Sequence, residues 1–222
     1  MMKASIFDGI RNRSQMVIGF LVLFYTVGVL LFILDFTRPL FRILTPFSLV
    51  FSFAIVLVFQ TEWTWRYILG FLLVFSGTIL IEIIGVQTGL LFGHYAYGSA
   101  LGIKIFDTPV LIGINWLLLI YCTAAIVQHH LRQKMAMVVV ASLMMVGYDL
   151  VLEYVAPVSD MWSWDTRYPG VRNFLMWFLV SLVFHTVFQL LKLRIENKPA
   201  RYLFWFQFLF LSAIAIYTFI AL

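Results

Sequence analysis

Seven apolar runs divide the chain, at Gln15–Leu34, Leu44–Phe59, Arg66–Ile84, Thr108–Val127, Met135–Tyr154, Asn173–Leu191 and Tyr202–Ala221. Coiled as helices they have the length needed to cross roughly 30 Å of hydrocarbon, with the second at the short end. They are apolar on all sides instead of alternating with period two. A backbone in lipid must satisfy its own polar groups, so this pattern favours helices over barrel strands. The first run is too long and too poorly flanked for a cleaved signal peptide and reads as a helix. No repeat, low-complexity tract or soluble segment interrupts the series. The expectation is an all-α polytopic membrane helical bundle of about seven transmembrane helices, a single integral-membrane domain over residues 1–222.

Composition agrees. Of 222 residues 63% are hydrophobic and 11% charged, too little polar surface to coat a soluble globule. A net charge of +5 would suggest a nucleic-acid partner in a soluble protein. Here the basic residues sit in short connections between apolar runs, where they set membrane orientation. Ten of the fifteen Lys and Arg lie in the amino terminus and the second, fourth and sixth connections. The amino terminus of this multi-pass protein of the cell (inner or plasma) membrane is thus expected in the cytoplasm. Asp35, Glu82, Asp107, Asp149, Glu153, Asp160 and Asp165 fall toward the other side, with Asp8, Glu62 and Glu196 opposite. The one cysteine, Cys122, excludes a disulfide framework and a Cys-based zinc site.

Three carboxylates change the picture from scaffold to site. Glu82 lies in the third run, and Asp149 and Glu153 in the fifth. Each costs about 2.5–3.5 kcal/mol if ionised near the bilayer centre, so each must be paired, protonated or open to a polar cavity. Four residues apart, Asp149 and Glu153 share a helix face, one turn above the other. Joint ionisation of such a pair is disfavoured, so one member can keep a proton near neutrality and act as a general acid. The alternative is a structural lock, in which Arg172, Asn173 or nearby tyrosines donate to the pair.

After Glu82, Gly85, Gly89 and Gly93 repeat every fourth residue, a smooth groove for another helix or a flat ligand if the helix continues. His94, Tyr95 and Tyr97 follow and can orient a carboxylate or a water. Asn115 and Trp116 lie about a turn and a half inside the next run, where an asparagine commonly joins helices. The connection from Val155 to Val171, between the fifth and sixth runs, carries Trp162 and Trp164, then Arg172 and Asn173 just beyond it. It reads either as an interfacial aromatic belt or as a lid offering aromatic faces to an apolar substrate or a cation.

These residues resemble the integral-membrane carotenoid biosynthesis proteins of the carotenoid 1,2-hydratase type, the bisanhydrobacterioruberin hydratases among them. The resemblance rests on Glu82-x-x-Gly85-x-x-Thr88-Gly89 running into Phe92-Gly93-x-Tyr95-x-Tyr97, on Pro109-x-x-Ile112-Gly113-x-x-Trp116, on Asp149-x-x-x-Glu153, on Trp162-x-Trp164 and on Asn173-Phe174-x-x-Trp177. Tyr154 stands where the family pattern has proline, and Met176 where it has a small residue. The resemblance implies a cofactor-independent hydro-lyase. It would add water across the terminal C1=C2 double bond of an acyclic, psi-end carotenoid such as lycopene, in membrane lipid and beside other carotenoid enzymes. Protonation at C2 leaves a tertiary cation at C1, which calls for a desolvated acid, aromatic faces and one positioned water. Glu82, Asp149, Glu153 and His94 are the candidate catalytic residues. Tyr95, Tyr97, Asn115, Trp116, Trp162, Trp164, Arg172 and Asn173 are the candidate substrate contacts.

A small membrane-type lycopene cyclase would begin with the same protonation and capture the cation with an internal double bond. A proton-coupled transporter would use the same acids as a relay. A prenyltransferase wants a second acidic motif to hold magnesium diphosphate, which the chain lacks. The histidines, His94, His129, His130 and His185, are too scattered for a di-iron oxygenase, and the last run has no lysine for a retinal Schiff base.

Overall fold

The computed structural model describes residues 13–221. Asp8, assigned above to the cytoplasmic side, lies outside them. Seven helices are long and apolar enough to cross a membrane, so the chain is an all-α, multi-pass membrane bundle. They are α1 (Ser14–Ile33), α2 (Arg38–Phe59), α3 (Trp65–Thr88), α4 (Val110–His130), α5 (Lys134–Val155), α6 (Val171–Leu190) and α7 (Lys198–Ala221). The ends differ from the hydropathy reading where polar residues join a helix. α2 starts at Arg38, with Pro39 in its first turn where a missing N–H costs nothing, and the 3₁₀ turn Asp35–Thr37 precedes it. α7 starts at Lys198, because Asn197 Oδ1 accepts the Ala200 N–H at 3.1 Å as an N-cap.

α4 is the central helix. It is 83% buried across its membrane window, against 22–39% for the other six, and packs on α2, α3, α5, α6 and α7. Its apolar all-round sequence suits a helix surrounded by protein on every side. α1 lies at the periphery against α7, and α5 pairs with α6.

α3 does not continue through the glycine series. It stops at Thr88, and Gly89 takes the left-handed conformation, φ 64°, donating its N–H to the Gly85 carbonyl. Of the three glycines only Gly85 is helical, and the Phe92 ring folds back against it. The chain is thereby released to form a short strand, β1 (Tyr95–Tyr97), and the hairpin of β2 (Lys104–Ile105) and β3 (Thr108–Pro109). The α5–α6 connection supplies β4 (Trp162–Trp164), antiparallel to β1.

Candidate functional site

The site begins with an alternation. In β1 and β4 every second residue is aromatic, and successive side chains on a strand point to opposite faces. Tyr95 pairs with Trp164, Ala96 with Ser163 and Tyr97 with Trp162. Flanking backbone bonds, Gly98 N–H to Met161 O at 2.8 Å and Asp165 N–H to His94 O at 3.2 Å, make the two aromatic pairs the non-hydrogen-bonded ones, whose side chains approach most closely. The ring centroids of Tyr95 and Trp164 are 4.9 Å apart, and those of Tyr97 and Trp162 are 5.9 Å apart. Ala96 and Ser163 face outward and are exposed.

All four aromatic polar tips point at carboxylates. Tyr95 and Tyr97 donate their hydroxyls to Glu82 Oε2 at 2.6 and 2.8 Å, and Trp116 Nε1 donates to Glu82 Oε1 at 2.8 Å. Trp164 and Trp162 donate their indole N–H to Glu153 Oε2 at 2.6 and 3.1 Å. Asn173 Nδ2 bridges the acid pair, at 2.7 Å to Asp149 Oδ2 and 3.3 Å to Glu153 Oε1. Burial and the neighbouring Glu82 charge both push the Tyr95 and Tyr97 phenols well above their ordinary range, so both remain donors. The three acids differ in support. Glu82 and Glu153 each receive three hydrogen bonds, Asp149 one, and Asp149 Oδ1 has no partner among the described residues.

Glu82 and Glu153 face a small cavity of about 20 Å³, lined also by Tyr95, Tyr97, Trp162 and Trp164 of the two strands and by Ile112 and Trp177. A space of this kind needs roughly 10–15 Å³ to admit one water. Asp149, fully buried, lies behind Glu153 and outside that lining. The β1–β4 pair is tied at its edge. Asp160 accepts the Ser99 backbone N–H at 3.1 Å and the Ser99 hydroxyl, and these bonds hold its carboxyl below the usual range. Lys104 Nζ donates to Tyr97 O at 2.6 Å.

Nine of the twelve candidates meet here: Glu82, Asp149, Glu153, Tyr95, Tyr97, Trp116, Trp162, Trp164 and Asn173. His94 does not. It precedes Tyr95 on the strand, so its ring turns to the other side, exposed and lying over Gly89. Arg172 is exposed, and its guanidinium lies beside Gly93 and Trp164 instead of the acid pair. Asn115 is buried but faces a second, larger cavity. Trp177 was legible only as part of a motif. It stacks on Trp116 with centroids 4.1 Å apart and so fixes the indole that holds Glu82. Phe92, in the chamber wall, carried no separate signal. The one buried histidine among the described residues, His185, is tied to Thr123 and the Ser181 carbonyl between α4 and α6, and His129 and His130 are exposed at the far end of α4.

The profile of the carotenoid biosynthesis protein family matches residues 44–222. The chain belongs to that family. Its place in carotenoid biosynthesis, and a carotenoid as its substrate, follow from that membership. The matched segment contains every residue of the chamber and leaves out α1. Neither a curated protein nor a solved structure matches the chain.

Proposed function

We propose that this carotenoid biosynthesis protein is a hydratase, adding water across the terminal C1=C2 double bond of an acyclic carotenoid end group without a cofactor. The observation that carries this reading is the water-sized space between two buried, oppositely placed carboxylates under an aromatic cover. A cyclase would need no water there.

Asp149 and Glu153 share one proton. Asp149 receives one hydrogen bond where Glu153 receives three, so Asp149 is the less supported anion and the resting proton belongs on it. Glu153, which faces the chamber, hands the proton to C2. The π electrons of the double bond form the new C–H bond and leave a tertiary cation at C1. Trp162, Trp164 and Tyr97 line the space the cation occupies, and the nearby carboxylate charges stabilise it. The water attacks C1, and Glu82, held by three donors, takes its proton. Return of that proton to the Asp149/Glu153 pair through a second water closes the cycle. Substrate plus water equals product, with no change of oxidation state. Asn173, Trp116 and Trp177 position the acids. The basic-residue asymmetry supports a cytoplasmic amino terminus and a chamber toward the opposite side.

The test is incubation of the purified protein in detergent with unlabelled lycopene in deuterated water, followed by chromatography and mass spectrometry. The expected product is heavier by one water per reacted end, carries one carbon-bound deuterium from the medium at C2, and keeps the polyene spectrum. A product of unchanged mass, apart from deuterium, would mean cyclisation and overturn the reading.

A further inference from the structure

A chamber of about 20 Å³ holds a water and has no room for the chain of a polyene. A second cavity of about 540 Å³ lies beside it, within the range of small-molecule sites. The two share walls at Ile112 and Trp162, so the larger one ends where the acid chamber begins. It runs down between α1, α2 and α7, and along α1 its lining extends from Phe20 to Leu31, about 16 Å at 1.5 Å per residue. Its outer edge is formed by Leu23 on α1 and Phe47 on α2, which are 61% and 66% exposed on the faces that meet lipid. Nearly all of the lining is apolar, as a hydrocarbon chain requires.

We propose that this cavity is the binding site for the polyene chain of the substrate, reached sideways from the bilayer between α1 and α2, with the reacting end directed past Trp162 into the acid chamber. The proposal rests on the reading of the chamber as the reacting site. It commits to a long apolar isoprenoid as occupant, because one end of the cavity meets lipid and the other meets the carboxylates. α1, which precedes the segment matched by the family profile, is then one wall of the site and decides which chains fit.

The test uses the full chain, purified in detergent from lycopene-accumulating cells, with pigment retained per mole of protein as the readout. Two variants fill the cavity from opposite walls. Ser48→Trp places an indole in it from α2. Gly28→Leu places a side chain where the Phe210 ring now comes within 2.9 Å of the added Cβ, so that Phe210 must move. Leu72→Trp, on the exposed face of α3, is the control. Glu82→Gln removes the base and leaves the cavity untouched. Retention should fall at least tenfold in either filling variant that elutes as a monodisperse protein, and should persist in the control and in Glu82→Gln. Wild-type retention in a monodisperse Ser48→Trp or Gly28→Leu protein would overturn the proposal. Loss of retention in both filling variants, together with a wild-type product of unchanged mass, would leave this site standing and refute hydration. Hydration by the wild type with unaltered kinetics in the filling variants would refute the site alone.

Discussion

Removing a hydroxyl from the lid tests whether the tyrosines work on Glu82 or merely pack. Tyr95 and Tyr97 both donate to Glu82 Oε2, at 2.6 and 2.8 Å, while Oε1 is served by Trp116 alone. Tyr97→Phe deletes one oxygen and leaves the ring against Trp162. A hydrogen bond to a charged group is worth about 1.5–3 kcal/mol, so each single substitution should lower turnover roughly ten- to a hundredfold. With both hydroxyls gone, Oε2 loses every protein donor, and the double variant should lose more than the product of the single effects. The assay is turnover of lycopene by purified protein in detergent, with a thermal melt on each variant to separate folding from chemistry. If Glu82 acts on a bound water, kcat falls and KM changes little. Turnover of Tyr97→Phe within twofold of wild type, in a protein that melts normally, would refute the argument. So would a double variant no worse than either single one.

Asp149→Asn, which keeps the shape and removes the proton donor, should eliminate product while leaving the melting temperature within a few degrees. Retained turnover would take Asp149 out of the mechanism. Ala96 and Ser163 are a hydrogen-bonded cross-strand pair on the outer face, a position whose Cα separation of about 5.5 Å suits a disulfide. Ala96→Cys with Ser163→Cys should therefore stop turnover when oxidised and restore it on reduction, because the lid must lift to admit an end group; full activity of the oxidised form would show a lid that need not move. His94→Ala should stay within twofold of wild type, since the ring lies outside the chamber, and a hundredfold loss would return it to the site. Asp160 is bound as an anion by Ser99 with its carboxyl held below the usual range. Its stabilising contribution is complete above the unfolded value near pH 4 and is lost only as the pH falls below that. Asp160→Asn should accordingly speed proteolysis or hydrogen exchange of the lid at neutral pH, with a smaller effect in strong acid, and equal effects at both would remove the tie.

The spans were legible because transfer into lipid acts on whole runs, and seven such runs are helices here. The acids were legible for the same reason, since Glu82, Asp149 and Glu153 are costly where they stand. The pairing of β1 with β4 was not, because Tyr95 and Trp164 are far apart in sequence and nothing local couples them. Yet Tyr-x-Tyr and Trp-x-Trp each carry a period of two. That period places His94 opposite Tyr95, so the misplacement of His94 came from treating neighbours in sequence as neighbours on a face. Gly89 was read as part of a helical series, whereas its left-handed φ of 64° ends α3 and frees the strand. The larger cavity depends on how α1, α2 and α7 meet, which no single segment records.

The donors of each carboxylate share one more property. Glu82 is served by residues 13, 15 and 34 positions later in the chain, Glu153 by residues 9, 11 and 20 later, and Asp149 by one 24 later. Every partner lies downstream. During synthesis each acid enters the membrane ahead of the segment that will satisfy it, and waits only for the following loop and the start of the next helix. The ribosome therefore delivers two self-sufficient half-sites in succession. The three-residue ladder between β1 and β4 is the step that joins them, and the chamber closes only after α6 has begun to insert.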